Sequence, residues 1–389
     1  MKKNILISIG ILIILIVFGV WGYLFTYGKP ANTDEIFAQF GLGGETATPV
    51  INPEITKVDV AKTTNDGVRQ KLKQLTTRSV AGAVFTSTGI RYVEQGTGHI
   101  YDIDLQNGKE KLISGTTITQ AIEALFSKDA SYVAITSYIP TGKKTIVGTI
   151  QQGQNDSGSI EGVALPLDAT EVEFGSATGT INYILKNTLG SSGYSYNIEK
   201  GVSTQLFAIP LRDVHVLWGT PIYVYTTPSA LQEGNLYRVS KNNLVYVTDG
   251  ETGLIAFRYD DGVLLTTPAS ENEQYFALTN DGRRISQSFT SLPEKCVQNP
   301  AKARSIYCSI PFTIDNERFP DDWYKGAISY SDLLWSIDIE TGEATGLSEF
   351  LTESGREIDV SKIGTNETGS YIWFINKNDN TLWMFDTTP

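Results

Sequence analysis

The chain has 389 residues, a formal charge of −12 and two cysteines, and its 19% of charged residues falls below the roughly 25% of ordinary soluble domains. The acidic balance excludes nucleic acid as the main partner, because phosphate binding needs clustered Lys and Arg. Thirty-six glycines and 19 tyrosines describe a turn-rich β chain, and two histidines, His99 and His215, leave little for metal or acid–base chemistry.

Residues 5–27, ILISIGILIILIVFGVWGYLFTY, carry no charge. As a helix they span about 34 Å, enough to cross a hydrocarbon core of about 30 Å. Trp21, Tyr23 and Tyr27 gather at the far end, and Lys2 and Lys3 precede the run. The positive-inside rule then places the N-terminus in the cytoplasm and the rest of the chain outside. A cleaved signal peptide would have a shorter apolar core and a small-residue cleavage site, whereas this run ends in bulky residues. Residues 1–27 therefore read as a cytoplasmic stub and signal anchor. Residues 28–67, rich in Thr, Pro, Gly and Asn, read as an extracytoplasmic tether, with one short helix over 33–41.

From residue 68 a unit recurs: an aromatic or β-branched strand, then a polar turn. Ile100-Tyr101-Asp102-Ile103-Asp104 precedes Gln106-Asn107-Gly108, and Leu334-Trp335-Ser336-Ile337-Asp338 precedes Glu340-Thr341-Gly342. Equivalent strands centre on positions 147, 195, 237, 276 and 383, giving gaps of 46, 48, 42, 39, 59 and 48 residues from 101 onwards. That is the size of a four-stranded propeller blade, which cannot cover both its apolar faces alone and so stacks with others around an axis. Seven units fit. The last stops after its third strand, while residues 68–76 form a spare strand with no blade. The expected fold is an all-β, seven-bladed β-propeller over 68–389 whose N-terminal strand closes the last blade, preceded by a single transmembrane helix. An open sandwich is the competing arrangement.

With its segments IYDIDLQNGKEKLIS and LWSIDIETGEATGLSEF, the pattern resembles the WD40-like and TolB-like propeller repeats of exported bacterial proteins. The resemblance covers 68–389 and implies a fold with no reaction attached. The second segment is also similar to quinoprotein repeats, but the tryptophan ending that motif is missing from the other units, so no cofactor is expected. Membrane-tethered propellers of uncharacterised function resemble the whole chain.

The 59-residue gap holds both cysteines. On the exported side, Cys296 and Cys308 are expected to form a disulfide, worth about 3 kcal/mol for a loop of this length. Zinc would need two further ligands that the vicinity lacks. Just downstream, Asp321-Asp322-Trp323-Tyr324 is a candidate binding loop, because aromatics contribute large contact area; the alternative is that the rings cover a blade edge and the Asp pair caps a turn.

No nucleophile elbow is present, and Asp102 to Gly108 departs from a calcium loop in reading as a strand followed by a turn. His99 and His215 read as polar positions near strand ends, and Asn155-Asp156-Ser157 and Asn366-Glu367-Thr368 match the glycosylation triplet. The leading reading is a non-catalytic interaction or ligand-binding scaffold in the cell envelope, with a protein or glycan partner, no metal, and no acid–base constellation in the channel. The rival is a propeller glycoside hydrolase or polysaccharide lyase, which needs two carboxylates about 5–10 Å apart near the channel mouth.

Overall fold

Each repeat folds into one antiparallel four-stranded meander, and the marker strands at 101, 147, 195, 237, 276, 335 and 383 are the third strand of every one. The computed structural model describes residues 70–151, 158–241, 243–260, 262–266, 275–279, 282–287, 289–314 and 318–388. The anchor at 5–27, the tether at 28–67 with its short helix, and Asn155–Ser157 lie outside the described residues. Among the described residues no helix is long and apolar enough to cross a membrane.

Seven such sheets form a β-propeller. The last blade takes its inner three strands from the C-terminus and its outer strand from Leu72–Gln74, which pairs antiparallel with Leu382–Asp386. This is the closure that the spare N-terminal strand implied. Leu72, opposite Phe385, is 2% exposed and packs with Tyr307, Leu334 and Phe374 between blades 6 and 7.

Burial accounts for the ring. Strand alternation points successive side chains to opposite faces, so each blade offers one apolar face to each neighbour. Every one of the seven interfaces holds its own cluster. Ile90, Tyr92, Trp373 and Leu382 join blade 7 to blade 1, which completes the circle. An open sandwich would lack that last cluster.

Inner strands run from one face, here called upper, to the other. The upper face carries the turns between second and third strands and the links between blades; the remaining turns form the lower face. Inner strands of blades 1, 2, 3 and 7 each have a bulge near the upper end. Beside the first of these, a Cβ on Gly82 would lie 2.0 Å from the carbonyl oxygen of Ala124, so glycine lets blades 1 and 2 approach at the axis.

The disulfide between Cys296 and Cys308 forms, but it does not clasp a surface loop. The two residues face each other across the first two strands of blade 6, 4.1 Å apart at Cα, and both are buried in the interface with blade 5. The extra length of the long repeat lies beyond them, in an insert over 312–331 between the second and third strands of blade 6.

Candidate functional site: the upper face and the axial channel

The insert builds a small core of its own. Phe319 and Trp323 pack with Leu292 and Ile255, and Ile314, Ile328 and Tyr330 border them. Its one-turn helix α1 (Asp321–Tyr324) sends the four predicted residues to four different partners. The Asp321 carboxylate accepts the backbone N–H of Ala230 at 2.6 Å, so the insert reaches from blade 6 across to blade 4. Asp322 is buried against Arg318 at 3.1 Å. The Trp323 indole N–H donates to Asp359 at 2.9 Å, and the ring is 5% exposed. Tyr324, 40% exposed, donates its hydroxyl to Glu294 at 3.2 Å.

Beneath Trp323 lies a charge network that nothing in the sequence pattern announced. The Lys295 ammonium, fully buried, donates to Asp332 at 2.5 Å and to Asp359, both also fully buried. Asp359 further accepts from the Ser329 hydroxyl at 2.9 Å and the Tyr330 N–H at 3.2 Å. Lys377 donates to the carbonyls of Trp323 and Ile328 and stands 4.5 Å from the Trp323 ring centre. Charges taken this far from water are tolerated only when paired and hydrogen-bonded. Burial pushes the Asp332 carboxyl up to about 6; Lys295 opposes the rise and Asp359 adds to it.

The channel wall carries a second group. Glu171 sits in the bulge of blade 3 with a left-handed φ of 51°, a conformation that non-glycine residues seldom hold. So placed, its carboxylate accepts the Val216 N–H at 3.0 Å and lies 3.3 Å from His215 Nδ1 on the inner strand of blade 4. Its carbonyl accepts the Trp218 indole N–H at 2.6 Å. The His215 ring stacks on Tyr225 at 5.1 Å. Burial pulls the His215 pKa down, but the hydrogen bond and charge of Glu171 outweigh it and the net shift is upward. Facing this group, Glu294 precedes the inner strand of blade 6. Crowding by protein raises its carboxyl although solvent reaches the side chain.

Lower in the channel, Glu123 of blade 2 pairs with Lys362 of blade 7 at 2.9 Å. Desolvation by the walls pushes Glu173 up to about 7, against the pull of Arg258. Between blades 6, 7, 1 and 2 the axis opens into a cavity of about 550 Å³, lined by Phe85, Phe126, Val297, Ile363, Trp373 and Glu294 among others. The sequence reading expected no acid–base constellation here; the ring brings together Glu294, Glu171 and His215 from three blades. A second residue of a short strand, such as Glu171 or His215, gives no linear signal of what it will face. Among the described residues no group of three His, Cys, Asp or Glu could hold a metal ion.

His99 lies at the start of a third strand, 3.1 Å from the Thr117 hydroxyl and away from the channel group. The segment from Asp102 is a strand and turn: Asp102 pairs with Arg91 at 2.7 Å, and Asp104 accepts the N–H groups of Gln106 and Asn107. Asn366 is used within its own turn, bonding Thr368 and Ser370.

The two faces differ in surface. Among the described residues, the exposed large apolar side chains outside the outer strands are Tyr138, Leu167, Leu189, Leu231, Phe312, Tyr324 and Leu351. Tyr138 stands at the upper end of the second strand of blade 2, and the others stand on upper-face connections. Leu189 and Leu231 are 86% and 77% exposed, and Phe312 is 71% exposed.

No family model and no curated protein matches the sequence. Solved structures do match the fold. The β-propeller domain of the Trilobed protease from Pyrococcus furiosus aligns with a TM-score of 0.50 at 10% identity, covering 80% of this chain and 96% of that one. The fold here is a WD40-like β-propeller. The WD40 domain of Neurospora crassa Pan2 aligns with a TM-score of 0.52 at 10% identity, covering 83% and 98%. An oligogalacturonate lyase from Vibrio parahaemolyticus aligns at 0.54 and 9% identity, covering 83% and 95%. Scaffold-type and enzymatic propellers thus both match, and at these identities the likeness speaks to fold alone.

Proposed function

We propose that this chain is a membrane-anchored, extracytoplasmic propeller that acts as an interaction scaffold in the cell envelope, receiving a protein or glycan on its upper face without catalysis. The observation that carries this reading is that the exposed large apolar residues outside the outer strands gather on that face, where aromatic and aliphatic side chains can supply contact area to a partner. Two features support it. The strand Leu72–Gln74 runs from lower to upper face, so the described chain enters the ring at its lower-face end. The buried disulfide suits an oxidising compartment outside the cytoplasm, in keeping with the charge-free run at 5–27. Placing charge on the face, with Leu231→Glu and Phe312→Glu together, should abolish co-isolation of the partner from gently solubilised membranes while circular dichroism stays unchanged. Undiminished co-isolation would refute the reading.

A propeller glycoside hydrolase or lyase is the second reading, favoured by Glu294 and Glu171 standing around His215 at the channel mouth. Burial raises the Glu294 carboxyl, the direction a general acid at neutral pH needs. Glycan cleavage by the wild type that Glu294→Gln and Glu171→Gln both abolish would support it, and inertness toward envelope glycans would end it.

A further inference from the structure

The axial cavity has a feature independent of which face meets a partner. Its charged groups are not equally satisfied. Lys362 in its lining is paired with Glu123 at 2.9 Å, and Lys128 with Glu367 at 3.8 Å. Glu294 lines the same cavity, yet its carboxylate accepts only its own backbone N–H and the Tyr324 hydroxyl, and among the described residues no Lys or Arg pairs with it. Below Glu294 the walls turn apolar, with Ala124, Phe126, Val297, Ile363 and Trp373. The cavity volume of about 550 Å³ falls within the range of small-molecule sites.

We propose that this cavity binds a small amphiphilic amine, with its ammonium on Glu294 beside the Tyr324 ring and its hydrocarbon stem against Val297, Ile363 and Phe126. The electrostatics select the sign. An anion would meet the Glu294 charge while both lining lysines are already paired, and a neutral molecule would desolvate Glu294 without replacing its water. An ammonium supplies the missing countercharge in a charge-assisted hydrogen bond, and aromatic faces such as Tyr324 favour cations. Depth separates a free ligand from a protein side chain. The cavity also reaches Pro300, beyond the strand Cys296–Gln298, whose three residues alone put roughly 10 Å between it and Glu294. A lysine entering from the lower mouth cannot span that distance.

Calorimetric titration of the full chain in a nonionic detergent, with a detergent-only blank, tests this with hexylammonium, hexanol and hexanoate. Saturable binding of hexylammonium is expected, weakened about tenfold or more by Glu294→Gln, while hexanol binds wild type and variant equally weakly and hexanoate not at all. Glu294 is solvent-exposed, so the substitution leaves the fold intact by circular dichroism. Absence of saturable hexylammonium binding to the wild type, or equal binding to the variant, would overturn the assignment. A lysine-containing octapeptide binding as tightly as hexylammonium would overturn the choice of a free ligand.

Discussion

Replacing Lys295 by methionine should destabilise the ring strongly, and by an amount that depends on pH. In the wild type one ammonium serves two carboxylates, Asp332 at 2.5 Å and Asp359, with all three groups sealed from solvent. Methionine fills a similar volume but leaves Asp332 with no cation beside Asp359, which keeps only Lys377 at 3.8 Å. Removing one partner from a buried ion pair costs about 3–5 kcal/mol. At about 2 °C per kcal/mol for a domain this large, Tm should fall by about 6–10 °C. The sign with pH follows from linkage. Asp332 already titrates near 6 in the fold, above the usual carboxylate range, because of its burial. Losing Lys295 raises it further, so the folded variant binds a proton that the unfolded chain has released. Its stability must therefore fall as pH rises from about 4 through the raised value. Urea unfolding should show a smaller penalty at pH 5 than at pH 8. Adding Asp332→Asn to the variant should recover part of the loss at pH 8 by removing one of the two charges. A variant as stable as wild type, or a penalty indifferent to pH, would refute the reasoning.

Other consequences follow from the same contacts. Leu72→Ala, in a strand of only three residues, should cost about 2–4 kcal/mol in denaturant unfolding, because Leu72 is interior to the interface of blades 6 and 7. Replacing Cys296 and Cys308 together by alanine should lower stability by about 3 kcal/mol on the chain-entropy account, with no loss of the far-ultraviolet spectrum. Trp323→Phe keeps the ring but removes the N–H donor to Asp359, and should cost about 1–3 kcal/mol while loosening the insert toward protease. By NMR titration His215 should ionise above the usual 6.5, and Glu171→Gln should bring it down; any stability the pair contributes is complete below about 6.5 and lost as pH rises through the higher folded value.

The ring was legible in the sequence because each blade repeats one local signal. The third strand carries large apolar residues, as in Leu334-Trp335-Ser336-Ile337, and a tight turn follows it, with Gly in several blades, as at Gly108, Gly201 and Gly342, and Lys241 in the left-handed position in blade 4. Closure was legible because strand pairing needs a partner at each edge, and 68–76 was the strand left over. The charge network was not legible. Nothing in Pro293-Glu294-Lys295 signals burial, and only the docking of residues 37 and 64 positions away makes Lys295 an interior group while Glu294 stays in solvent. Trp323 was singled out as a recognition residue on its size; the fold turns it inward onto Asp359 and leaves Tyr324 beside the channel. Glu171 and His215 meet because a bulge redirects one side chain across a blade boundary, a backbone irregularity that alternation patterns do not encode.

The central claim is that the upper face of an extracytoplasmic ring meets a partner, and site-specific photo-crosslinking in intact cells tests it most directly. A photoreactive residue at Phe312 on the upper face is compared with one at Gln106 in a lower-face turn of blade 1. A discrete adduct with an envelope component from position 312, and none from position 106, is the predicted result. Adducts from 106 alone, or with cytoplasmic proteins from either position, would contradict it.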